Sequence, residues 1–172
     1  MFGRSMCGTS FILEQSKILE TVSGIGSALT DKGQFLSVAE SCTAGLIGHL
    51  LTHLPGSSAW FAGGVIAYSN RIKSELLGVE EEVLKDYGAV SRQCVLQMVR
   101  GVTDLCATQA GVAISGIAGP GGGTAQKPVG TVYIAWGNAS GAEAKRFFFS
   151  GDREEVRQAS AIEALKGLGN RI

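Results

Sequence analysis

Apolar residues along this chain recur with two different periods, which predicts helices interleaved with strands. A spacing of three or four residues predicts helices over residues 10–32, 44–53, 71–77, 80–87 and 152–168, and a longer helix that begins after Ser91. Short β-prone runs predict strands over residues 35–38, 64–68, 111–117, 129–136 and 144–149, of which the last two form a hairpin. This succession is typical of an α/β fold, and we predict a mixed sheet flanked by helices.

The composition fits one compact domain. The 172 residues are 45% hydrophobic and only 17% charged, which supplies enough apolar surface for a core without disulfide bonds. We predict a single domain over residues 10–172 that follows a loose N-terminal tail over residues 1–9.

The charge balance and the cysteines narrow the possible partners. Fifteen basic and fifteen acidic side chains cancel, so the chain lacks the electrostatic footprint of a nucleic-acid-binding protein, and a small polar ligand fits better. No run approaches the ~20 apolar residues that span a bilayer, and residues 1–13 lack the continuous apolar region of a secretory signal. The four cysteines form neither a C-x-x-C pair nor a metal-ligand spacing. We therefore expect a cytoplasmic protein without a membrane partner.

The segment Phe35 to Gly45 combines a short apolar strand, a polar turn and the start of a helix. Ser41, Cys42 and Thr43 lie in the turn, where free backbone N–H groups and the helix dipole favour an oxyanion or a phosphate. This turn is therefore the candidate active site. The local pattern leaves open the alternative that Ser41 or Thr43 serves only as the helix N-cap.

Three polar loops follow strands of the predicted sheet, at residues 40–43, 69–73 and 115–124. Ligands of open α/β sheets bind at the carboxyl ends of strands, so we expect the three loops to converge on one cleft. The glycine-rich residues 118–124 have neither the P-loop spacing nor the dinucleotide-binding spacing. They form either a structural turn or a cradle of backbone N–H groups for a phosphate or a nucleoside.

A serine in the turn after the first strand needs a base, and the sequence offers one lysine for that role. Lys73 is predicted in the first turn of its helix beside Arg71, where the helix dipole and a like charge lower the pKa of a lysine. An ordinary surface lysine is the alternative. Cys42 is either a rival nucleophile or a small buried residue. His49 and His53 lack a third ligand, so we predict surface histidines and no metal site.

Seven short motifs occur along the chain in a fixed order. They are Ala39-Glu40-Ser41-Cys42-Thr43, Pro55-Gly56-Ser57-Ser58, Tyr68-Ser69-Asn70 with Lys73, Gly88-Ala89-Val90-Ser91, Ser115-Gly116-Ile117-Ala118-Gly119-Pro120-Gly121-Gly122, Lys127-Pro128-Val129-Gly130-Thr131 and Ser150-Gly151-Asp152-Arg153. Together they resemble the CinA C-terminal domain family over residues 10–168. The sequence departs from that family at Ala44, where many members have glycine, and at Ala125-Gln126, where acidic residues are usual.

The resemblance implies a three-layer α/β/α fold with a mixed sheet, a homodimer, and the activity of a nicotinamide-nucleotide amidase. Such an enzyme takes part in pyridine nucleotide salvage. It hydrolyses the carboxamide of nicotinamide mononucleotide to give nicotinate mononucleotide and ammonia, without a metal or a cofactor. A regulatory module that holds a nucleotide and does not turn it over is the competing class.

The same resemblance assigns roles to individual residues. By motif, Ser41 is the nucleophile and Lys73 is the base, while Tyr68 positions or polarises the pair. The residues that would contact the substrate are Thr43, Ser115, Gly116, Gly119, Gly121, Gly122 and Arg153.

Overall fold

The structure, a computed structural model, describes residues 7–138 and 141–172, with side chains described from residue 17 onwards except at position 138. Six α-helices form in these ranges: α1 (Cys7–Asp31), α2 (Leu46–Leu51), α3 (Asn70–Leu77), α4 (Glu81–Asp86), α5 (Arg92–Cys106) and α6 (Arg153–Gly169). The strands in these ranges are β1 (Leu36–Glu40), β2 (Phe61–Ile66), β3 (Ala110–Gly116), β4 (Thr131–Asn138) and β5 (Gly141–Phe148).

The strands form one mixed sheet in the order β2-β1-β3-β4-β5. β1 pairs in parallel with both β2 and β3, whereas β4 pairs antiparallel with β3 and β5. The predicted α/β fold with a mixed sheet is therefore confirmed. Because β1, β2 and β3 are parallel neighbours, their carboxyl ends lie at the same edge of the sheet, where the loops that follow them can meet.

Helices cover both faces of the sheet and give the three-layer arrangement. α1, α2 and α6 pack on one face, where their apolar residues meet Leu36, Val38 and Trp136. α3, α4 and α5 cover the opposite face around Ala39 and Ala135. Successive residues of a strand point to opposite faces, so each strand contributes to both cores. Within the described ranges, no helix is both long and apolar enough to cross a membrane.

Helix α3, which carries Lys73, is delimited by the signals that the sequence contains. The Ser69 side chain accepts a hydrogen bond from the Ile72 N–H at the helix start, and Gly78 ends the helix with a left-handed φ of 64°. Lys73 is the fourth residue of this helix and is buried. The caps of α3 therefore fix the position of the lysine along the helix.

Several predicted boundaries differ from the structure by two or three residues, and two of these differences affect the loops after β1 and β2. β2 covers Phe61–Ile66 and not residues 64–68, so the chain leaves the sheet two residues earlier than predicted. α2 begins at Leu46 and not at Ala44, because Ala44 and Gly45 have left-handed φ values of 51° and 96°, which an α-helix does not contain.

Two predictions fall partly outside the described residues. Residues 7–9 of the predicted tail belong to α1, and residues 1–6 lie outside the described ranges. The turn of the predicted hairpin includes residues 139–140, which also lie outside them.

Candidate active site

A cavity of about 210 Å³ opens at the carboxyl edge of the parallel strands. Residues from all three predicted polar loops line it, so their predicted convergence on one cleft is confirmed. Its walls include Ser41, Tyr68, Lys73, Ser115, Gly116 and Arg153. The cavity is smaller than the ~300–1,000 Å³ clefts that bury drug-sized ligands, so it suits the reacting part of a substrate and not a whole nucleotide.

Ser41 is the first residue after β1, and the sheet holds its main-chain N–H. Its N–H donates to the carbonyl oxygen of Ile114 at 3.1 Å, which extends the β1–β3 pairing by one residue. The Ser41 side chain is nearly buried, and its Oγ lies 3.0 Å from Nζ of Lys73. The fold thus brings together two polar groups that are 32 residues apart in the chain.

Lys73 is 1% exposed and has no carboxylate partner among the described residues. Besides contacting Ser41, its Nζ donates to the carbonyl oxygens of Ala67 at 2.7 Å and Tyr68 at 3.3 Å. A neutral amine has two N–H donors and one lone pair, so two carbonyls and one hydroxyl satisfy it completely. An ammonium would also find three acceptors here. The burial of the site therefore decides which form is favoured.

Burial lowers the pKa of Lys73 below its ordinary value of 10.5, because removal from water disfavours the charged ammonium. Cys94 and Cys42 act in the opposite direction, to a smaller extent. The predicted effect of Arg71 is wrong, since its guanidinium is exposed and pairs with Glu75 one turn further along α3. The lysine is perturbed because it is buried and not because it lies beside a like charge.

Cys42 is also among the residues that line the cavity, and its side chain is buried, as in the second of the two alternatives. Burial raises the pKa of the Cys42 thiol to about 12. At neutral pH such a thiol is almost entirely protonated, and it lacks the thiolate character of a reactive cysteine. The buried, protonated state of this side chain therefore disfavours it as a nucleophile.

Glu40 occupies the backbone N–H groups at the start of α2. Its buried carboxylate accepts hydrogen bonds from Gly45 at 2.9 Å and Ile47 at 3.1 Å through Oε2, and from Gly48 at 2.9 Å through Oε1. These donors would otherwise have no partner within the helix.

This arrangement corrects two expectations about the turn. We expected free N–H groups at the α2 N-terminus to face an oxyanion or a phosphate, but Glu40 already satisfies them. The alternative that Ser41 or Thr43 caps the helix is also wrong, because the N-cap position is Gly45 and no side chain of that residue can take part.

Tyr68 and Arg153 lie together at the rim of the cavity. Arg153 donates through Nη2 to the Tyr68 phenol at 3.2 Å and through Nη1 to the Gly119 carbonyl at 2.6 Å. The Tyr68 side chain is exposed, and it is the carbonyl of Tyr68, not its ring, that contacts Nζ of Lys73. Any influence of Tyr68 on the lysine in this structure therefore acts through the main chain.

The remaining predicted substrate contacts divide into two groups. Ser115 and Gly116 end β3 and line the cavity. Thr43 is wholly buried, and its Oγ1 has no hydrogen-bond partner among the described residues. Gly119, Gly121 and Gly122 also do not line the cavity, although the Gly119 carbonyl accepts a hydrogen bond from Arg153. The structure thus brings only the first group to the site.

Three further residues of the cavity wall carry no assignment from the sequence. Asn70 begins α3, and Ala89 and Val90 precede the Ser91 cap of α5. All three belong to motifs of the sequence, but none of them was given a role there. Ala89 and Val90 have no polar side-chain atoms that could suggest one. The exposed His49 and His53 lie outside this cavity.

Comparison with known proteins identifies relatives of two lengths. A relative from Enterobacter agglomerans named nicotinamide-nucleotide amidohydrolase PncC is 47% identical over 156 residues, which cover 90% of this chain and 94% of the relative. A CinA-like protein from Geotalea uraniireducens is 43% identical over 159 residues, but the match spans 92% of this chain and only 37% of that longer protein.

Solved structures and a family model agree with these relatives. The competence/damage inducible protein CihA from Agrobacterium tumefaciens superimposes with a TM-score of 0.86 at 41% identity, covering 90% of this chain and 96% of the other. The competence damage-inducible protein A (ComA) from Klebsiella pneumoniae has the same TM-score and coverage at 35% identity. The model of the CinA C-terminal domain matches residues 19–172. The chain therefore belongs to the CinA C-terminal domain family.

Proposed function

We propose that this chain is an amidohydrolase that hydrolyses the carboxamide of nicotinamide mononucleotide, with Ser41 as nucleophile and Lys73 as base. The observation that carries the proposal is the 3.0 Å contact between Lys73 Nζ and Ser41 Oγ in a buried site where no described carboxylate pairs with the lysine. Similarity to a named nicotinamide-nucleotide amidohydrolase over 94% of its length supports the choice of substrate.

The first half of the reaction transfers the acyl group to the serine. Neutral Lys73 accepts the Ser41 proton while Oγ attacks the carboxamide carbon, and the carbonyl oxygen becomes a tetrahedral oxyanion. The α2 N–H groups are engaged by Glu40, so the backbone N–H groups of residues 42–43, or of the loop after Ser115, are the candidate oxyanion donors. A single donor of this kind contributes roughly 3–4 kcal/mol in acyl-transfer enzymes.

Loss of ammonia completes this first half-reaction, and hydrolysis of the acyl-enzyme is the second. Protonated Lys73 gives its proton to the departing amine, ammonia leaves, and the acyl group remains as an ester on Ser41. Water then attacks the ester carbonyl while Lys73 accepts a water proton, and that proton returns to Ser41 as the carboxylic acid is released. Lys73 is therefore neutral at the start of each half-reaction. A lysine whose pKa is lowered by burial meets that requirement.

We expect purified protein to release ammonia and nicotinate mononucleotide from nicotinamide mononucleotide in equal amounts, at an unchanged rate in EDTA. Free nicotinamide carries the same carboxamide without the ribose phosphate, so it tests whether the nucleotide part is recognised, and Lys73→Met is the inactive control. The melting temperature of the protein should rise when nicotinamide mononucleotide is added. A rise without ammonia release would favour the non-catalytic module, and activity lost in EDTA and restored by a divalent ion would contradict the metal-free reaction.

We expect kcat/KM to fall as the pH is lowered through the depressed pKa of Lys73, by about tenfold per pH unit, because only the neutral amine accepts the Ser41 proton.

The free energy of unfolding should also fall as the pH is lowered. Between the lowered pKa and 10.5 the unfolded state binds more protons than the folded state, so the free energy of unfolding rises with pH by up to ~1.4 kcal/mol per unit. Urea unfolding of wild type and Lys73→Met across this window measures that contribution. A wild-type kcat/KM that does not fall with acid would contradict the assignment.

A further inference from the structure

Glu40 is a buried charged side chain that the reaction above does not use. It is the last residue of β1 and directly precedes Ser41, and it is 1% exposed. It does not line the cavity. Its carboxylate instead accepts the three N–H groups of Gly45, Ile47 and Gly48, across the turn that contains the serine. Such a side chain needs an explanation, because a carboxylate is buried only where its contacts offset the loss of water.

The main chain of Glu40 is held on both sides by the sheet. It is in register with Ile66 of β2 and Ile114 of β3, and its carbonyl accepts the Ala67 N–H at 2.7 Å. Successive side chains at a strand end point to opposite faces. Accordingly, the Glu40 side chain contacts α2, while Ser41 contacts Lys73 on α3. The carboxylate and the serine are therefore back to back on one rigid strand end.

The turn after Ser41 adopts a backbone conformation that needs support. Ala44 has a φ of 51° and Gly45 a φ of 96°, and the left-handed region is unfavourable for alanine because of its Cβ atom. Two side chains outside the turn hold it in place. Glu40 bonds the Gly45 N–H, and Arg157 of α6 donates to the Thr43 carbonyl at 2.9 Å. Of these two, Glu40 adjoins the serine in the chain.

We propose that Glu40 is a positioning residue: by clamping the start of α2 to the end of β1, it fixes the turn and so directs Ser41 Oγ at Lys73 Nζ. This inference rests on the proposed roles of Ser41 and Lys73. Misplacing reacting groups by ~1 Å costs on the order of 10²-fold in rate, so a loosened turn lowers turnover without removing any group that touches the substrate.

The test compares Glu40→Gln with wild type. Glutamine keeps the shape, but one oxygen becomes an NH₂ group, which cannot accept a backbone N–H. We expect kcat to fall roughly 10–100-fold with KM within about threefold, and Glu40→Asp, which keeps an anion on a shorter stem, to lie between the two. Ser37→Ala is the matched control, because it removes buried contacts with the Val102 carbonyl and Thr108 Oγ1 at the opposite end of the same strand. It should lower stability and leave kcat unchanged.

A second measurement does not depend on the identity of the substrate. Modification of Ser41 by a fluorophosphonate, followed by intact-mass spectrometry, reports the reactivity of the serine itself. Slower labelling of Glu40→Gln than of Ser37→Ala would support positioning even if nicotinamide mononucleotide proved not to be the substrate. The proposal is overturned if Glu40→Gln matches wild type in kcat and labelling, if wild-type Ser41 is not labelled, or if neither Glu40 variant folds.

Discussion

Replacing Ser41 by alanine should abolish ammonia release, whereas replacing Cys42 by alanine should leave most of it. Without the hydroxyl no acyl-enzyme forms, and removal of a nucleophile typically costs at least about 10³-fold in turnover. The Cys42 thiol, with its pKa raised to about 12 by burial, contributes little thiolate at neutral pH. Its loss should change kcat by no more than about fivefold, through altered packing of the cavity wall.

Both variants should be assayed at the same nucleotide concentration, with melting temperatures measured in parallel. Ser41→Ala should still be stabilised by nicotinamide mononucleotide, because the substrate site remains while the bond-forming atom is gone. Loss of activity in Cys42→Ala with retention in Ser41→Ala would transfer the reaction to the thiol. Ammonia release by both single variants, at rates near wild type, would place the nucleophile outside this turn.

Local sequence signals predict the architecture and the meeting of the polar loops because those features follow general rules. Parallel strands bring their carboxyl ends to one edge, so polar residues after β1, β2 and β3 must approach one another. Caps such as Ser69 and Gly78 then set the position of Lys73 on its helix. The convergence of the loops and the position of Lys73 on its helix can therefore both be predicted without knowledge of any long-range contact.

The clamp formed by Glu40 could not be predicted in this way. A glutamate at a strand end before a polar turn usually signals exposure, and only the three-dimensional path of residues 41–48 shows that its carboxylate meets the N–H groups of α2. The burial of Lys73 could not be predicted from the local sequence for a similar reason. Sequence proximity points to Arg71 as the cause of a lowered pKa, yet the Arg71 side chain is exposed and it is the burial of the lysine that lowers its pKa.

Thr43 shows the limit of transferring a motif residue by residue. Its position in the turn beside Ser41 suggests a substrate contact, but in the structure its side chain is buried, and the next two residues, Ala44 and Gly45, have left-handed φ values. The sequence predicts a helix from residue 44, so it does not anticipate the path of the chain after Thr43.

Replacing Lys73 by arginine should lower turnover strongly, and this loss would show that the lysine acts as a base and not only as a positive charge. A guanidinium stays protonated at any working pH, so arginine preserves the positive charge but cannot accept the Ser41 proton. We expect turnover to fall by ~10²–10⁴-fold or more, the usual contribution of a general base. Lys73→Met should lose as much activity yet gain stability at neutral pH, since it removes an amine that folding must desolvate and deprotonate. Steady-state ammonia release and urea unfolding measure these effects.

Lys73→Met also controls for the larger size of arginine, because methionine has a similar volume to lysine and leaves the cavity intact.

If Lys73→Arg kept activity within a few-fold of wild type, a group other than residue 73 would have to accept the Ser41 proton. Cys42 and Tyr68 are the other cavity residues that can lose a proton near that point. Burial keeps the Cys42 thiol protonated, and the Tyr68 phenol lies at the exposed rim beside Arg153. Glu40, behind the serine, already holds three N–H groups. Retained activity in Lys73→Arg would therefore refute the serine–lysine pair as a whole, because none of these neighbouring groups in the described part of the chain fits the role of base.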